Sequence, residues 1–180
     1  KRISKKDAYY LAIFFIFLFF LFILRLYINQ VLEIPFHYDE AQYWTWSKDL
    51  SWGYFSKPPL LSWCISIFSN ICGDGESCIR SLSPLFYTGT TLAIFYSAFK
   101  ITKNLYSSIF ASCAFLLMPG VTFSSLLIST DVPLLFFSTL FGALIIKIHQ
   151  EKRVQSKIIY FLVPITLSLA ILSKYAAIYL

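Results

Sequence analysis

The sequence predicts an all-α integral membrane protein: a bundle of about five membrane-spanning helices with a large amphipathic first outer loop. Three observations support this prediction. Of the 180 residues, 58% are hydrophobic and only 13% are charged, with nineteen phenylalanines, a composition far from that of a soluble domain. Apolar runs of roughly the length needed to cross a bilayer recur along the chain. Between the first two runs lies a stretch rich in acids, lysines, tryptophans and prolines.

The first apolar run covers residues 9–28 and is interrupted only by Arg25. A signal peptide is the competing interpretation, but the run exceeds the roughly 7 to 15 residues of a signal sequence's apolar region, and no small-residue cleavage site follows. We therefore expect a retained span. Further spans are predicted at residues 82–99, 105–118, 132–148 and 158–180.

Two breaks divide the stretch that contains the third and fourth predicted spans. Pro119-Gly120 is one, and Ser129-Thr130-Asp131 is the other, so the sequence leaves open which part crosses the membrane. The last run ends at Leu180 without a polar flank or a cap. Residues 1–180 are therefore expected to be the N-terminal part of a single transmembrane domain whose C-terminal remainder is absent.

The distribution of basic residues predicts the orientation, because Lys and Arg are retained on the cytoplasmic side. A cytoplasmic N terminus leaves five basic residues outside the cytoplasm: Arg25, Lys48, Lys57, Arg80 and Lys174. It places ten inside: Lys1, Arg2, Lys5, Lys6, Lys100, Lys103, Lys147, Lys152, Arg153 and Lys157.

The net charge of +6 would suggest nucleic acid in a soluble protein. Here the excess lies in loops beside anionic lipid, so no nucleic-acid partner is predicted.

The outer loop, residues 29–81, is amphipathic and is predicted to lie along the membrane surface. Asp39 is a candidate N-cap for a helix that ends near Leu50. This helix carries Tyr43, Trp44 and Trp46, and it is expected at the membrane surface because Trp and Tyr favour the headgroup layer. After two prolines, a second helix is predicted over 60–71, too short to span. A simple interfacial cap with surface charges is the alternative interpretation of this loop.

Ionisable residues inside or beside predicted spans are costly and point to function. Lys57 precedes the prolines in a stiff turn, where an ammonium group can hold a lipid phosphate. Snorkelling to the interface is the alternative for Lys174, as for Arg25 and Arg80. By the predicted topology, six ionisable residues from four regions share the outer face: Asp39, Glu40, Lys57, Arg80, Asp131 and Lys174. Acids and bases gathered there suggest a site for a phosphate and a reacting hydroxyl.

Five motifs, in this order and spacing, carry a resemblance to a known family: "HYDEAQYWTW", "GYFSKPPL", "ESCIRSL", "STDVPLLFF" and "LSKYAA". The chain resembles the N-terminal part of membrane glycosyltransferases of the protein O-mannosyltransferase and aminoarabinose (lipid A) transferase superfamily. The resemblance implies a GT-C-type helical bundle. It also implies a sugar donor carried on a polyprenyl phosphate and an acceptor that is a lipid such as lipid A, a glycan or a protein.

The resemblance also implies residue roles. Asp39 matches the leading catalytic acid, and Asp131 a second acidic position of the catalytic or acceptor pocket. Lys57, Arg80 and Lys174 become candidates for the lipid phosphate, with Glu40 and Tyr54 as further substrate contacts. Direct attack of an acceptor hydroxyl on the sugar would invert the anomeric configuration, without the carboxylate pair of retaining hydrolases. The expected location is the bacterial inner membrane, with the active site on its periplasmic face.

No metal site or cofactor besides the donor is predicted, because His37 is a lone imidazole, although dependence on a divalent metal stays open. Cys72 and Cys78 flank "GDGES", and an oxidising periplasm would allow a disulfide there. Pairing with Cys64, or no bond at all, is equally open, and Cys113 is expected to be a buried hydrophobe.

Two further functions stay open: a transporter or flippase for a polar or lipid-linked substrate, and an inactive, purely structural membrane segment.

Overall fold

The computed structural model describes residues 4–32, 34–150 and 158–180. Every element in these ranges is helical, and no strand occurs in them. The helices are α1 (Lys5–Val31), α2 (Tyr38–Ser47), α3 (Leu60–Cys72), α4 (Glu76–Arg80), α5 (Leu82–Thr102), α6 (Leu105–Leu116), α7 (Pro119–Ser124), α8 (Asp131–Gln150) and α9 (Ile158–Ser173), followed by a 3₁₀ helix, Tyr175–Tyr179. The prediction of an all-α membrane fold is confirmed. Five basic residues named above lie outside the described ranges: Lys1, Arg2, Lys152, Arg153 and Lys157.

Each predicted span coincides with a helix, but the helices differ in length. Both α1 and α8 are long and apolar enough to cross a membrane, whereas α3, α6 and α9 are shorter apolar helices. The predicted span 105–118 is cut at Leu116, and α7 begins at Pro119, so the break at Pro119-Gly120 is real. The predicted span 158–180 is also interrupted. Its helix ends at Ser173, and Lys174 has an extended backbone, with φ −157° and ψ 133°.

The outer loop contains three helices, and α3 confirms the predicted short second helix. The N-cap prediction for Asp39 was wrong by two residues. Helix α2 begins at Tyr38 after His37, and Asp39 lies in its first turn, where a carboxylate stabilises the helix dipole. The reason is that Glu40, not Asp39, accepts a hydrogen bond from the His37 backbone N–H at 2.9 Å, as in a capping box.

A small apolar core holds these loop helices against the bundle. Tyr43 of α2 and Leu61 and Ile65 of α3 are buried with Ile79, Leu82 and Ile128. Cys72 and Cys78 form a disulfide that closes the turn between α3 and α4, with 5.8 Å between their Cα atoms. Cys64 and Cys113 are free. The loop is therefore a folded layer on one end of the bundle, which we call the loop face.

The bundle itself is built around α5, which packs against α6 and α8, while α8 packs against α9. Large apolar side chains on the outside of α1 are exposed, including Ile16 at 68% and Phe19 at 65%. Such a surface suits lipid rather than water. Helices α5 and α8 approach closely at Gly89, where an added Cβ would lie 2.5 Å from the Phe136 ring.

This contact gives a stability prediction. Gly89→Ala is expected to lower the free energy of unfolding by about 1–3 kcal/mol, because the new methyl group displaces Phe136, which packs against Phe86 and Phe137. The matched control is Gly142→Ala in α8, where a Cβ would meet nothing within 4 Å. The control is expected to be neutral or slightly stabilising. Thermal unfolding in detergent tests both, and equal melting temperatures for the two variants would contradict the predicted close packing.

Candidate active site at the loop face

Asp39 is the exposed member of the predicted pair of adjacent acids. It lies in the first turn of α2 and is exposed, whereas Tyr43, one helical turn further on, is buried. Residues four apart share one helix face, so Asp39 and Tyr43 are neighbours on the surface of α2. The local fold thus holds this carboxylate on a fixed helix turn while leaving it accessible.

Asp131 and Lys174 meet at the same face, although they are 43 residues apart in the chain. Lys174 Nζ lies 2.7 Å from Asp131 Oδ1, with side-chain exposures of 36% and 52%. Asp131 begins α8, and Lys174 stands where α9 gives way to the 3₁₀ helix. The pair is open to solvent, so its net contribution to stability is small. Its two charges are accessible to a ligand.

Tyr43 connects the two acids electrostatically. Its side chain is 2% exposed, and burial raises the pKa of its hydroxyl. The negative charges of Asp39 and Asp131 raise this pKa further, while a hydrogen bond with the Thr130 side chain opposes them. Asp39 lies one turn before Tyr43 on α2, and Thr130 adjoins Asp131 in the chain, so the interaction of Tyr43 with Thr130 links these two segments. Asp39, Tyr43, Thr130, Asp131 and Lys174 therefore form one group, which we call the acid cluster.

Glu40 faces inward and forms a buried ion pair with Arg80. The Glu40 carboxylate accepts from Arg80 Nε at 3.0 Å and from Nη2 at 2.6 Å, and the two side chains are 2% and 4% exposed. Burial raises the pKa of Glu40, but the bonds from Arg80 and from the backbone N–H groups of His37 and Ile128 more than offset it, so the pKa is lowered. The bond to Glu40 raises the pKa of Arg80 in turn.

The roles of Glu40 and Arg80 as substrate contacts stay predictions, and in this structure both side chains bond to protein atoms. Besides Glu40, the guanidinium group donates to the carbonyl oxygens of Ile34 at 2.6 Å and Pro35 at 3.0 Å. With both groups buried and hydrogen-bonded to protein atoms, neither is free to hold a phosphate unless the pair opens. In this structure the pair ties the segment before α2 to α4.

Buried polar side chains fix the connection between α7 and α8. Tyr87 donates to Ser124 Oγ at 2.8 Å, Asn29 donates to the Ser125 carbonyl at 3.4 Å, and Ser83 donates to the carbonyl of Leu127. The Ile128 N–H donates to Glu40 Oε1 at 2.9 Å. The last of these contacts is at Ile128, three residues before Asp131. The contacts therefore set the position at which α8 begins.

Tyr54 and Lys57 shape the turn between α2 and α3. The Tyr54 ring stacks on Trp46 with 4.6 Å between centroids, and its hydroxyl lies 2.8 Å from the Trp46 carbonyl, so Tyr54 holds the end of α2. Lys57 is half-buried, and its carbonyl accepts from the Tyr54 N–H at 3.2 Å. Across the described part of the chain, no carboxylate pairs with the Lys57 ammonium group.

Sequence reasoning missed the structural roles of Tyr43 and Arg25. The sequence predicts Tyr43 as an interfacial anchor, and snorkelling is the alternative interpretation of Arg25. Arg25 is instead buried, and it donates to the Leu116 carbonyl at 2.8 Å, satisfying a free group at the end of α6. Arg25 and Asn29, four residues apart and both polar in an apolar helix, were a usable signal of one inward face. Among the described residues, no cluster of three or more His, Cys, Asp or Glu side chains is arranged for a metal.

Two comparisons with known proteins bear on this geometry. Residues 56–180 match the model of the family described as dolichyl-phosphate-mannose-protein mannosyltransferase. The chain belongs to this family. It is also similar to a lipid A galacturonosyltransferase, RgtD, of Rhizobium johnstonii, with 32% identity over 145 residues. That alignment covers 80% of this chain but only 30% of the relative, so the chain spans less than a third of that protein's length. No solved structure matches the chain.

Membership of the mannosyltransferase family confirms the resemblance drawn from the sequence motifs, and with the apolar helices it makes the chain a membrane protein. The matched range contains four of the predicted site residues: Lys57, Arg80, Asp131 and Lys174. Asp39, Glu40 and Tyr54 precede that range. The acid cluster thus combines residues from inside and outside the range matched to the mannosyltransferase family.

Proposed function

We propose that this chain is part of a membrane glycosyltransferase that moves a sugar from a polyprenyl-phosphate donor to an acceptor at the outer face of the inner membrane. The acid cluster is the observation that carries the proposal. The exposed carboxylates of Asp39 and Asp131 both raise the pKa of the Tyr43 hydroxyl, and an accessible cation, Lys174, lies 2.7 Å from Asp131 Oδ1. Family membership supports glycosyl transfer as the chemistry.

Asp39 acts as the general base in this proposal. Its carboxylate takes the proton of the acceptor hydroxyl while that oxygen forms a bond to the anomeric carbon of the sugar. The bond between this carbon and the phosphate oxygen breaks, and its electron pair stays on the polyprenyl phosphate. Attack opposite to the leaving group inverts the anomeric configuration. An acceptor phosphate, already ionised, would attack without needing a base.

Cations at the loop face hold the lipid phosphate and stabilise the charge that develops on it. Lys57, presented by the turn before α3, and Lys174, beside Asp131, are the proposed phosphate ligands. The ion pair with Asp131 keeps the Lys174 ammonium group in place before the donor arrives. The donor phosphate then competes with Asp131 for this ammonium group. Trp52 and Phe55 are exposed in the same turn, 86% and 103% respectively, and suit contact with the headgroup layer.

The acceptor is a lipid, a glycan or a protein, and the similarity to a lipid A galacturonosyltransferase makes lipid A the first acceptor to test. The test uses membranes containing the full-length protein, lipid A and a panel of polyprenyl-phosphate sugars that includes galacturonic acid and mannose. Transfer of labelled sugar above membranes without the protein is the expected result. Absence of transfer with every donor, while the protein is present and folded, would contradict the proposal.

The proposed side of the active site gives a separate prediction. A cysteine at Ser56, which is exposed in the turn between α2 and α3, is expected to react with a membrane-impermeant maleimide from outside. The matched control is a cysteine at Gln150, at the opposite end of α8, which is expected to react only after lysis. Both use a background with Cys64 and Cys113 replaced by serine. The reverse pattern would move the site to the cytoplasm.

A further inference from the structure

We propose that the buried pair of Glu40 and Arg80 is a positioning device that fixes the separation of Asp39 and Asp131. This inference rests on the proposed function, because it takes those two acids as the catalytic pair. It assigns to Glu40 and Arg80 a role without direct contact to donor or acceptor. It also explains why a costly charge pair lies in the interior of the loop layer.

The hydrogen bonds of the Glu40 carboxylate join three separate parts of the chain. Oε1 accepts from Arg80 Nε and from the Ile128 N–H, and Oε2 accepts from Arg80 Nη2 and from the His37 N–H. Four donors at 2.6 to 3.0 Å fill both oxygens. One carboxylate therefore connects the start of α2, the end of α4 and the connection that leads into α8.

The two ends of this network lie next to the proposed catalytic acids. Asp39 directly precedes Glu40 in the first turn of α2, and Asp131 follows Ile128 by three residues. A shift of Glu40 would move Asp39 with it, and loss of the bond to Ile128 would release the start of α8.

The four donors to Glu40 occupy both of its oxygens, so this carboxylate has no free position for a substrate. Replacing a buried ion pair by apolar residues is often neutral or stabilising, so stability alone is a weak reason for a protein to contain one. Bidentate bonds from a guanidinium group, however, fix distance and angle as apolar contacts do not. A geometric role accounts for both the burial and the complete pairing of Glu40.

The first measurement separates positioning from binding by steady-state kinetics of the full-length protein in membranes. Glu40→Gln is expected to lower kcat about 100-fold, as a misplacement near 1 Å would, while the KM for the polyprenyl-phosphate sugar stays within about twofold. Arg80→Lys retains the positive charge but loses the planar guanidinium group that donates two hydrogen bonds to Glu40. This variant is expected to have an intermediate kcat. The control is Asp74→Asn, which removes an exposed ion pair with Lys48 between α2 and the α3–α4 turn. It should change neither constant.

The second measurement needs no activity. Thr130 is 2% exposed, so a cysteine at this position, with Cys64 and Cys113 replaced by serine, is expected to be protected from a soluble maleimide. Adding Glu40→Gln should make it react at least tenfold faster, because the amide keeps one acceptor oxygen and turns an NH2 group toward donors, so the bonds to Arg80, His37 and Ile128 cannot all persist. Adding Asp74→Asn should leave it protected. If Glu40→Gln protein does not accumulate, Arg80→Lys serves for both measurements.

Two results would overturn the inference. Continued protection of the Thr130 cysteine in the Glu40→Gln background would mean that the pair does not hold the connection into α8. A raised donor KM with unchanged kcat would mean that the pair contacts the donor. Failure of the proposed function is a different outcome: the unmodified protein would transfer no sugar, and the labelling would still decide whether the pair fixes the geometry.

Discussion

Replacing Asp39 with asparagine is expected to reduce sugar transfer by a factor of about 10² to 10⁴, the range attributed to a positioned general base. Asparagine has nearly the same shape as aspartate, and Asp39 is exposed in the first turn of α2, so the fold should tolerate the change. The loss should appear in kcat, measured with a saturating polyprenyl-phosphate sugar and equal amounts of the two proteins, because proton transfer occurs only in the transition state.

The matched control for this prediction is Asp49→Asn. Asp49 is another exposed acid of the same loop, two residues beyond the end of α2, and it is outside the acid cluster. Its removal changes the local charge equally but should leave transfer unaffected. Equal rates for Asp39→Asn and the unmodified protein with a hydroxyl acceptor would exclude Asp39 as the base. Retained transfer to a phosphate acceptor alone would instead fit an acceptor that needs no deprotonation.

Replacing Arg80 with methionine should cause the largest loss of stability among these changes, about 3–5 kcal/mol in the free energy of unfolding at neutral pH. Methionine fills a similar volume but leaves the Glu40 carboxylate buried, 2% exposed, without its charge partner. It also removes the donors to the carbonyl oxygens of Ile34 and Pro35. Thermal unfolding of the full-length protein in detergent measures the effect.

The pH dependence of this loss has a definite sign. In the unmodified protein the pKa of Glu40 lies below its ordinary value of 4.5, so the stability that this group contributes is present above pH 4.5 and is lost as pH falls through the lowered pKa. Without Arg80, burial dominates and raises the pKa of Glu40, and the carboxyl group protonates at a higher pH. The gap in melting temperature between the two proteins should therefore be wide at pH 7 and narrower at pH 5. A gap that does not change with pH would show that lost packing, rather than the unpaired charge, causes the effect.

Much of the fold could be predicted because the bilayer limits what an apolar chain can form. Apolar runs of spanning length, a double proline before an apolar segment and the Ser129-Thr130-Asp131 break predicted α1, α3 and the start of α8. The end of α9 could not be predicted, because the apolar character of "SKYAAIYL" continues past Ser173 while the backbone extends at Lys174. Hydropathy reports burial in lipid but not the local backbone conformation.

The candidate site was predicted in part, and the limit has a physical cause. The number of predicted spans between two residues decides whether they lie on the same side of the membrane. This count predicted Asp39, Asp131 and Lys174 at the same end of the bundle. Whether a charged group points to solvent or to the interior depends on partners far along the chain. Nothing in the sequence distinguishes the expected exposure of Glu40 from that of Asp39. The Glu40 side chain is turned inward by its contacts with Arg80 and Ile128, which lie 40 and 88 residues away in the chain.

The central claim is that a lipid-linked sugar is cleaved from its carrier and transferred, rather than carried across the membrane intact. The most direct test follows a donor labelled in both the sugar and the polyprenyl phosphate, in proteoliposomes containing the full-length protein and an acceptor. We expect the two labels to separate in equal amounts, with sugar on the acceptor and free polyprenyl phosphate left in the membrane. Movement of both labels together to the opposite leaflet, without release of polyprenyl phosphate, would contradict the account and identify a transporter of the lipid-linked sugar.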